Sequence, residues 1–93
     1  MIVSFRSRET ELVWQGRFSR SLPPDIQASA LRKLRMLNNA RVLADLMVPP
    51  NNRLEALKGD RQGQHSIRIN QQWRICFVWT QNGPDHVEVV DYH

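Results

Sequence analysis

The sequence predicts an α+β domain: helices in the first half, packed on one face of a mainly antiparallel sheet of four to five strands built by the second half. Three observations predict it. Apolar residues between Ile26 and Leu37 recur at the helical period. From Leu54 onward the period drops to two, as where Ile67 and Ile69 alternate with Ser66, Arg68 and Asn70. The later strands are joined by a few residues each, too few for a parallel crossover. Helices followed by strands place the helices on one sheet face.

The elements follow in order. Residues 2–5 are expected as a short strand, and residues 9–15 as a short helix that carries Leu12, Val13 and Trp14 and ends at Gly16. Ser21-Leu22-Pro23-Pro24-Asp25 starts a longer helix, with proline in the first turn and an acid near the positive end of the dipole. On it Ile26, Ala30, Leu31, Leu34 and Leu37 share an arc of about 140°, with Lys33 near its edge and Arg32 and Arg35 outside. That helix should end around Asn38-Asn39. Another short helix, residues 41–47, must stop before Pro49-Pro50. Residues 54–58, 65–70, 73–80 and 86–92 are expected as four strands. In the third, Trp73, Ile75, Phe77 and Trp79 alternate with Arg74, Cys76 and Val78. The connections between them, Gly59 to Gly63, Asn70 to Gln72 and Gln81 to Asp85, have turn chemistry.

Ninety-three residues correspond to one domain, residues 1–93. The single cysteine, Cys76, excludes an internal disulfide and reads as a buried small side chain rather than a nucleophile, which suits a reducing cytosol. No long apolar run follows Met1, so neither a signal peptide nor a membrane span is expected, and the expected location is cytoplasmic. Thirteen basic residues, eleven of them arginine, face nine acidic ones, and the excess lies in the amino-terminal half. Arginine's planar fork suits phosphate, so nucleic acid is a candidate partner. An acidic protein partner or plain solubility reads equally well from charge alone. The run Arg32-Lys33-Leu34-Arg35 is either a solvated helix face or a contact for RNA or the ribosome.

The candidate chemistry gathers on the sheet. Arg74 points away from the apolar face of its strand, and Arg68 alternates with the apolar pair of the neighbouring strand. Glu55 and Lys58 lie at the end of the first strand. Asp91, Tyr92 and His93 follow Val87, Val89 and Val90, a strand that should hold them in place. His93 is either a tail residue with no role or a proton-transfer group, since its unperturbed pKa lies near neutrality. Together this set suits phosphodiester cleavage in RNA, which supplies its own 2′-hydroxyl nucleophile. Glu55 or His93 can move protons, Lys58 and Arg74 can offset charge on the phosphorane, and Tyr92 can stack on a base or donate to a phosphate oxygen. Strict alternation puts Glu55 and Lys58 on opposite faces, so the strand must end or twist before Lys58 for both to reach one site. His65, His86 and His93 lack the spacing of metal ligands, and neither a metal nor another cofactor is expected. There is no glycine-rich phosphate loop.

Several stretches together resemble the HigB toxins, the host-inhibition or plasmid-killer proteins of the RelE/ParE superfamily. They are the Met-Ile-x-Ser-Phe start, Asn52 through Arg61, His65 through Asn70, Trp73-Arg74-Ile75 and the ending Asp91-Tyr92-His93. The resemblance implies a RelE-like fold and a ribosome-dependent endoribonuclease that cuts translated mRNA in the A site. It implies a HigA-like helix-turn-helix antitoxin as partner, with operator DNA bound only through the antitoxin complex. By position, Lys58 and Arg74 match the family's basic catalytic residues, and Asp91, Tyr92 and His93 its carboxy-terminal set. Where well-known members carry histidine in Leu-His-Pro-Leu-Lys, this chain has Glu55 in Leu-Glu-Ala-Leu-Lys. A glutamate with a pKa of about 4.3 serves at neutral pH as a base rather than an acid, which leaves the acid role to His93. Two other functions compete: a ParE-like, non-catalytic inhibitor of DNA gyrase, and a non-catalytic RNA-binding module.

Overall fold

Ser7 starts the first helix, α1 (Arg8–Trp14), in the computed structural model, which describes residues 1–92. Its hydroxyl accepts from the Thr10 N–H at 3.2 Å, and Glu9 and Glu11 complement the dipole in the first turn. Gly16, at φ 78°, takes the left-handed conformation that closes the helix. The second helix, α2 (Pro24–Asn39), begins on proline and has no side-chain cap at Pro23. Gln27 instead stitches the preceding loop, donating to the carbonyls of Ser19 and Leu22 and accepting from the Ser19 N–H. Ile26, Ala30, Leu34 and Leu37 are buried and Leu31 is packed against them, the stripe that the helical period predicts.

Residues 41–47 do not form an α-helix. The Asp45 carboxylate accepts from the N–H groups of Arg41 and Val42, and the chain winds as a 3₁₀ helix over Leu43–Met47. With prolines at 49 and 50, so short a segment takes the tighter winding. A second 3₁₀ turn, Pro50–Asn52, follows at once.

The remaining chain makes a four-stranded antiparallel sheet in sequential order: β1 (Glu55–Ala56), β2 (His65–Arg68), β3 (Trp73–Thr80) and β4 (Gly83–Asp91). Ile67, Ile75, Phe77, Val87 and Val89 face the helices, and with Leu34, Leu37 and Leu46 they form the core. The helices therefore cover one face, as expected. The elements differ in extent. β1 has two residues instead of five, and β2 stops at Arg68, where Asn70 accepts from the N–H groups of Gln72 and Trp73 and turns the chain. β4 begins at Gly83 rather than His86, because Gln81 and Asn82 alone make the turn. One extra residue then enters β4 between the pairs Cys76–Glu88 and Val78–Asp85. His86, at φ 50°, sits in that bulge.

Residues 2–5 are not a strand. They run parallel to the outer edge of β4 with a single bridge, Phe5 to Val87, because the chain turns at once to cap α1. Val3 N–H donates to Pro84, Val87 N–H to Ser4, and Arg6 N–H to Val87. Farther along the same edge, Thr10 Oγ1 of α1 accepts from the Val89 N–H at 2.8 Å. No helix among the described residues is long and apolar enough to cross a membrane.

Two outcomes follow from this edge. A Cβ at Gly83 would stand 2.1 Å from the Met1 carbonyl oxygen, whereas one at Gly63, also at positive φ, would meet nothing within 4 Å. Gly83→Ala should therefore lose about 1–3 kcal/mol from overpacking in addition to backbone strain. Gly63→Ala carries strain alone, about 1–2 kcal/mol. Thermal unfolding of both variants checks this, and equal losses would show that the amino-terminal segment yields freely. The second outcome concerns Asp85, whose carboxyl the Ser4 hydroxyl holds below its ordinary range, with help from the His86 N–H. A carboxyl with a depressed folded pKa contributes stability that is complete above its unfolded pKa, about 4, and lost as pH falls through the folded value. Ser4→Ala should make stability less steep in pH below about 4, read by denaturant unfolding at pH 3 and pH 6.

Candidate active site

The sheet face away from the helices carries the candidate residues, and register decides which of them meet. Glu55 pairs with Ser66, Ser66 with Cys76, and Cys76 with Glu88, so these four form one row across all four strands. The next row runs Arg68, Arg74, Val90. Ser66 and Cys76 are fully buried although no helix covers them. Both are small, and longer side chains from the rows and the adjoining loop close over them. Burial pushes the Cys76 thiol up, against a weaker opposing pull from the Arg61 guanidinium. Cys76 is thus the buried small residue that the sequence suggested.

Arg61 closes the Glu88 end of this row. It comes from the β1–β2 connection, where Gly59–Arg61 makes a 3₁₀ turn. Its Nη1 lies 2.8 Å from Glu88 Oε1 and 3.1 Å from Gln64 Oε1, and the Glu88 bond holds its proton still more firmly than usual. Arg6, with Nε 3.8 Å from the same carboxylate oxygen, brings this network to four residues. Neither Arg61 nor Glu88 was singled out from the sequence. One sits in a turn and the other 27 residues away in a strand, so only the folded register brings them together.

Arg74 is fixed from three sides. Its Nε donates to Ser66 Oγ at 2.7 Å, its Nη2 donates to the carbonyl of Arg53 at 2.6 Å, and its guanidinium carbon lies 5.7 Å from the centre of the Tyr92 ring. A cation over a tyrosine face adds about 0.5–1 kcal/mol at an exposed site. Tyr92 is held in turn by its N–H, which donates to Gln72 at 2.7 Å. Arg53 adopts the left-handed conformation, φ 47° and ψ 54°, which is uncommon for a residue with a side chain. Asn52 beside it is fully buried, with its Nδ2 donating to the Leu46 carbonyl and its Oδ1 accepting from Lys33.

The predicted residues therefore divide. Glu55, Arg68, Arg74 and Tyr92 share this face. β1 ends at Ala56, so alternation no longer assigns Lys58 to either face; Leu57 is buried and Lys58 stands exposed at the start of the Arg61 turn. Asp91 pairs with Trp73, which alternation puts on the other side from Tyr92, and its carboxylate accepts from Gln72 Nε2 at 3.1 Å. His93 lies outside the described residues.

The basic run on α2 divides as well. Arg32, Lys33 and Arg68 line a groove of about 540 Å³ with Met36, Asn51 and Asn70 among its walls, while Arg35 is exposed outside it. Lys33 is half-buried and bonded to Asn52, and burial, with Arg32 second, lowers its pKa. Among the described residues, no three His, Cys, Asp or Glu side chains group closely enough to hold a metal ion.

Comparison with known proteins adds to this geometry. Residues 4–93 match the model of a family described as the RelE-like toxin HigB of type II toxin–antitoxin systems. Toxin HigB-1 of Vibrio cholerae serotype O1 is 36% identical over 80 residues, which cover 85% of this chain and 84% of its own. Endoribonuclease HigB of Proteus vulgaris is 28% identical over 97 residues, the full length of both. An uncharacterized protein of Haemophilus influenzae is 33% identical over 61 residues, 66% of this chain and 60% of its own.

The Arg61–Glu88 lid can be weighed directly. Glu88 is largely buried and Arg61 about one-third exposed, so the pair should couple more strongly than a surface ion pair. A double-mutant cycle with Arg61→Ala and Glu88→Ala should give about 1–3 kcal/mol of coupling in denaturant unfolding. A coupling near zero would make Arg61 a surface charge and remove it as a lid.

Proposed function

We propose that this chain, which belongs to the HigB family of RelE-like toxins of type II toxin–antitoxin systems, is an endoribonuclease that cuts translated mRNA on the ribosome. The observation that carries the reading is the clamped Arg74 guanidinium beside Tyr92, on the same sheet face as Glu55. A cation held in place before the reaction stabilises charge that develops in the transition state without reorganising.

In this mechanism the 2′-hydroxyl oxygen attacks phosphorus while its proton passes to the Glu55 carboxylate. The new O2′–P bond forms and the P–O5′ bond breaks, leaving a 2′,3′-cyclic phosphate and a 5′-hydroxyl. His93 gives its proton to the departing 5′-oxygen. Arg74 and Lys58 offset the added charge on the phosphorane, and Tyr92 stacks on a base or donates to a phosphate oxygen. Asp91, tied to Gln72, belongs to the same set by its position beside Tyr92 and His93. The protein's own cations supply the charge, so no metal or cofactor has a step. Arg32, Lys33, Arg35 and Arg68 contact mRNA or ribosomal RNA, three of them through the groove beside α2. The partner is a helix-turn-helix antitoxin of the HigA type, through which alone operator DNA is bound, and the protein works in the cytoplasm.

Single-turnover cleavage of ribosome-bound mRNA tests the reading. Arg74→Ala should slow cutting about 10²–10³-fold, as for the loss of one charge-stabilising donor. Removing His93 should cost about 10²–10⁴-fold if it is the acid. Glu55→Gln should be comparably severe if the carboxylate is the base. The proteins without His93 and with Glu55→Gln should unfold within a few degrees of the parent, whereas Arg74→Ala, which gives up the bonds to Ser66 and Arg53, should unfold earlier and is compared at a temperature where it is folded. Intact transcripts with broken DNA on expression would replace this reading with gyrase poisoning, and intact transcripts and DNA with a passive RNA binder.

A further inference from the structure

The guanidinium of Arg74 is held by two hydrogen bonds from different nitrogens, and two such bonds fix both its position and its plane. One acceptor is a side chain in the adjacent strand, Ser66. The other is a main-chain carbonyl, that of Arg53, in a segment outside any strand. We propose that Arg53 is a positioning residue for Arg74, acting through its carbonyl, which the left-handed turn at Arg53 aims at the guanidinium. The proposal rests on the role given above to Arg74 at the cleaved phosphate.

The conformation is what makes the contact. At φ 47° and ψ 54° the carbonyl of Arg53 points where Arg74 Nη2 reaches it at 2.6 Å. An extended or right-handed residue there would direct the carbonyl elsewhere and leave the guanidinium free to pivot about its bond to Ser66. Arginine does not favour this conformation, so the surroundings must impose it. They do so from two directions. The N–H groups of Asn52 and Arg53 donate to the carbonyls of Pro49 and Pro50 at 3.0 and 3.1 Å, which closes the turn. The buried Asn52 side chain then ties it to Leu46 and to Lys33 of α2. The Arg53 side chain takes no part in any of these bonds.

A series at position 53 separates backbone from side chain. Arg53→Gly, Arg53→Asn, Arg53→Ala and Arg53→Val all remove the same charge but tolerate the left-handed region in falling order. The rate of cutting ribosome-bound mRNA at saturation should fall in that order, with Val about 10²-fold below Gly, as for a misplacement of an ångström or so. The concentration for half-maximal rate should be common to all four. The Arg74 Nη2–H resonances, identified by their loss in Arg74→Lys, should exchange slowly with water in Gly and Asn and rapidly in Ala and Val, because Nη2 is the nitrogen that the Arg53 carbonyl holds. If the Val protein does not fold, Gly against Ala decides. Equal rates and equal Nη2–H exchange across the folded variants would overturn the proposal. A parent protein that leaves mRNA uncut would defeat the proposed function, and the exchange series would still decide the positioning role.

Discussion

The burial of β3 on both faces is the constraint from which the rest of this structure follows. Ile75 and Phe77 fill the side beneath the helices, while Cys76 between them is just as fully buried on the other. A sheet with helices on one face only must close that second side with whatever its strands and loops supply. Here the closure is polar: Arg61, Arg74 and Glu88 lie over Ser66 and Cys76, two side chains small enough to leave room beneath them. Charged groups placed so near buried ones must be paired and oriented, because an unpaired charge there is costly. Cover and ordered cations thus arise from one packing requirement.

Pairing also sorts the cations by availability. Glu88 takes up Arg61, with Arg6 at longer range. The partners of Arg74 among the described residues are neutral oxygens, so no carboxylate there takes it up as Glu88 takes up Arg61. Lys33 gives up part of its freedom to Asn52, whereas Arg32 and Arg68 open onto the groove. The basic excess of the first half of the chain is therefore not spread evenly. Its effective part lies where α2 approaches the end of β2, next to the row that holds Arg74, an arrangement able to steer an anionic polymer toward that row.

How much of this could be read beforehand depended on how local its cause was. The buried stripe of α2 and the alternation of β3 are periodic in the chain itself, and both were legible. So was the buried thiol, flanked in sequence by Ile75 and Phe77. The 3₁₀ winding before Pro49 was missed because a few apolar residues carry the same pattern in either helix, and the Asp45 side-chain bonds decided between them. The left-handed turn at Arg53 had no local sign at all, since a glycine or asparagine would ordinarily mark it. It follows from the buried Asn52, whose partners come from two separate parts of the chain, α2 and the segment from Leu46 to Val48. The conflict between Glu55 and Lys58 was visible, but not its resolution in so short a β1. On the candidate face, the type and position of Arg74 and Tyr92 drew attention to two side chains that the fold brings together, whereas Arg61 was hidden inside a turn.

The two edges of the sheet have a consequence for how other chains can approach. Along β4, the segment from Val3 to Arg6 and then Thr10 occupy the outer backbone groups. Along the opposite edge β1 offers only Glu55 and Ala56 before the chain bends away. Exposed strand edges are where proteins recruit one another by extending a sheet, and where they aggregate. This fold leaves almost no such template. Whatever binds it has to read its side chains, and a crowded solution of copies has little backbone on which to grow a fibre.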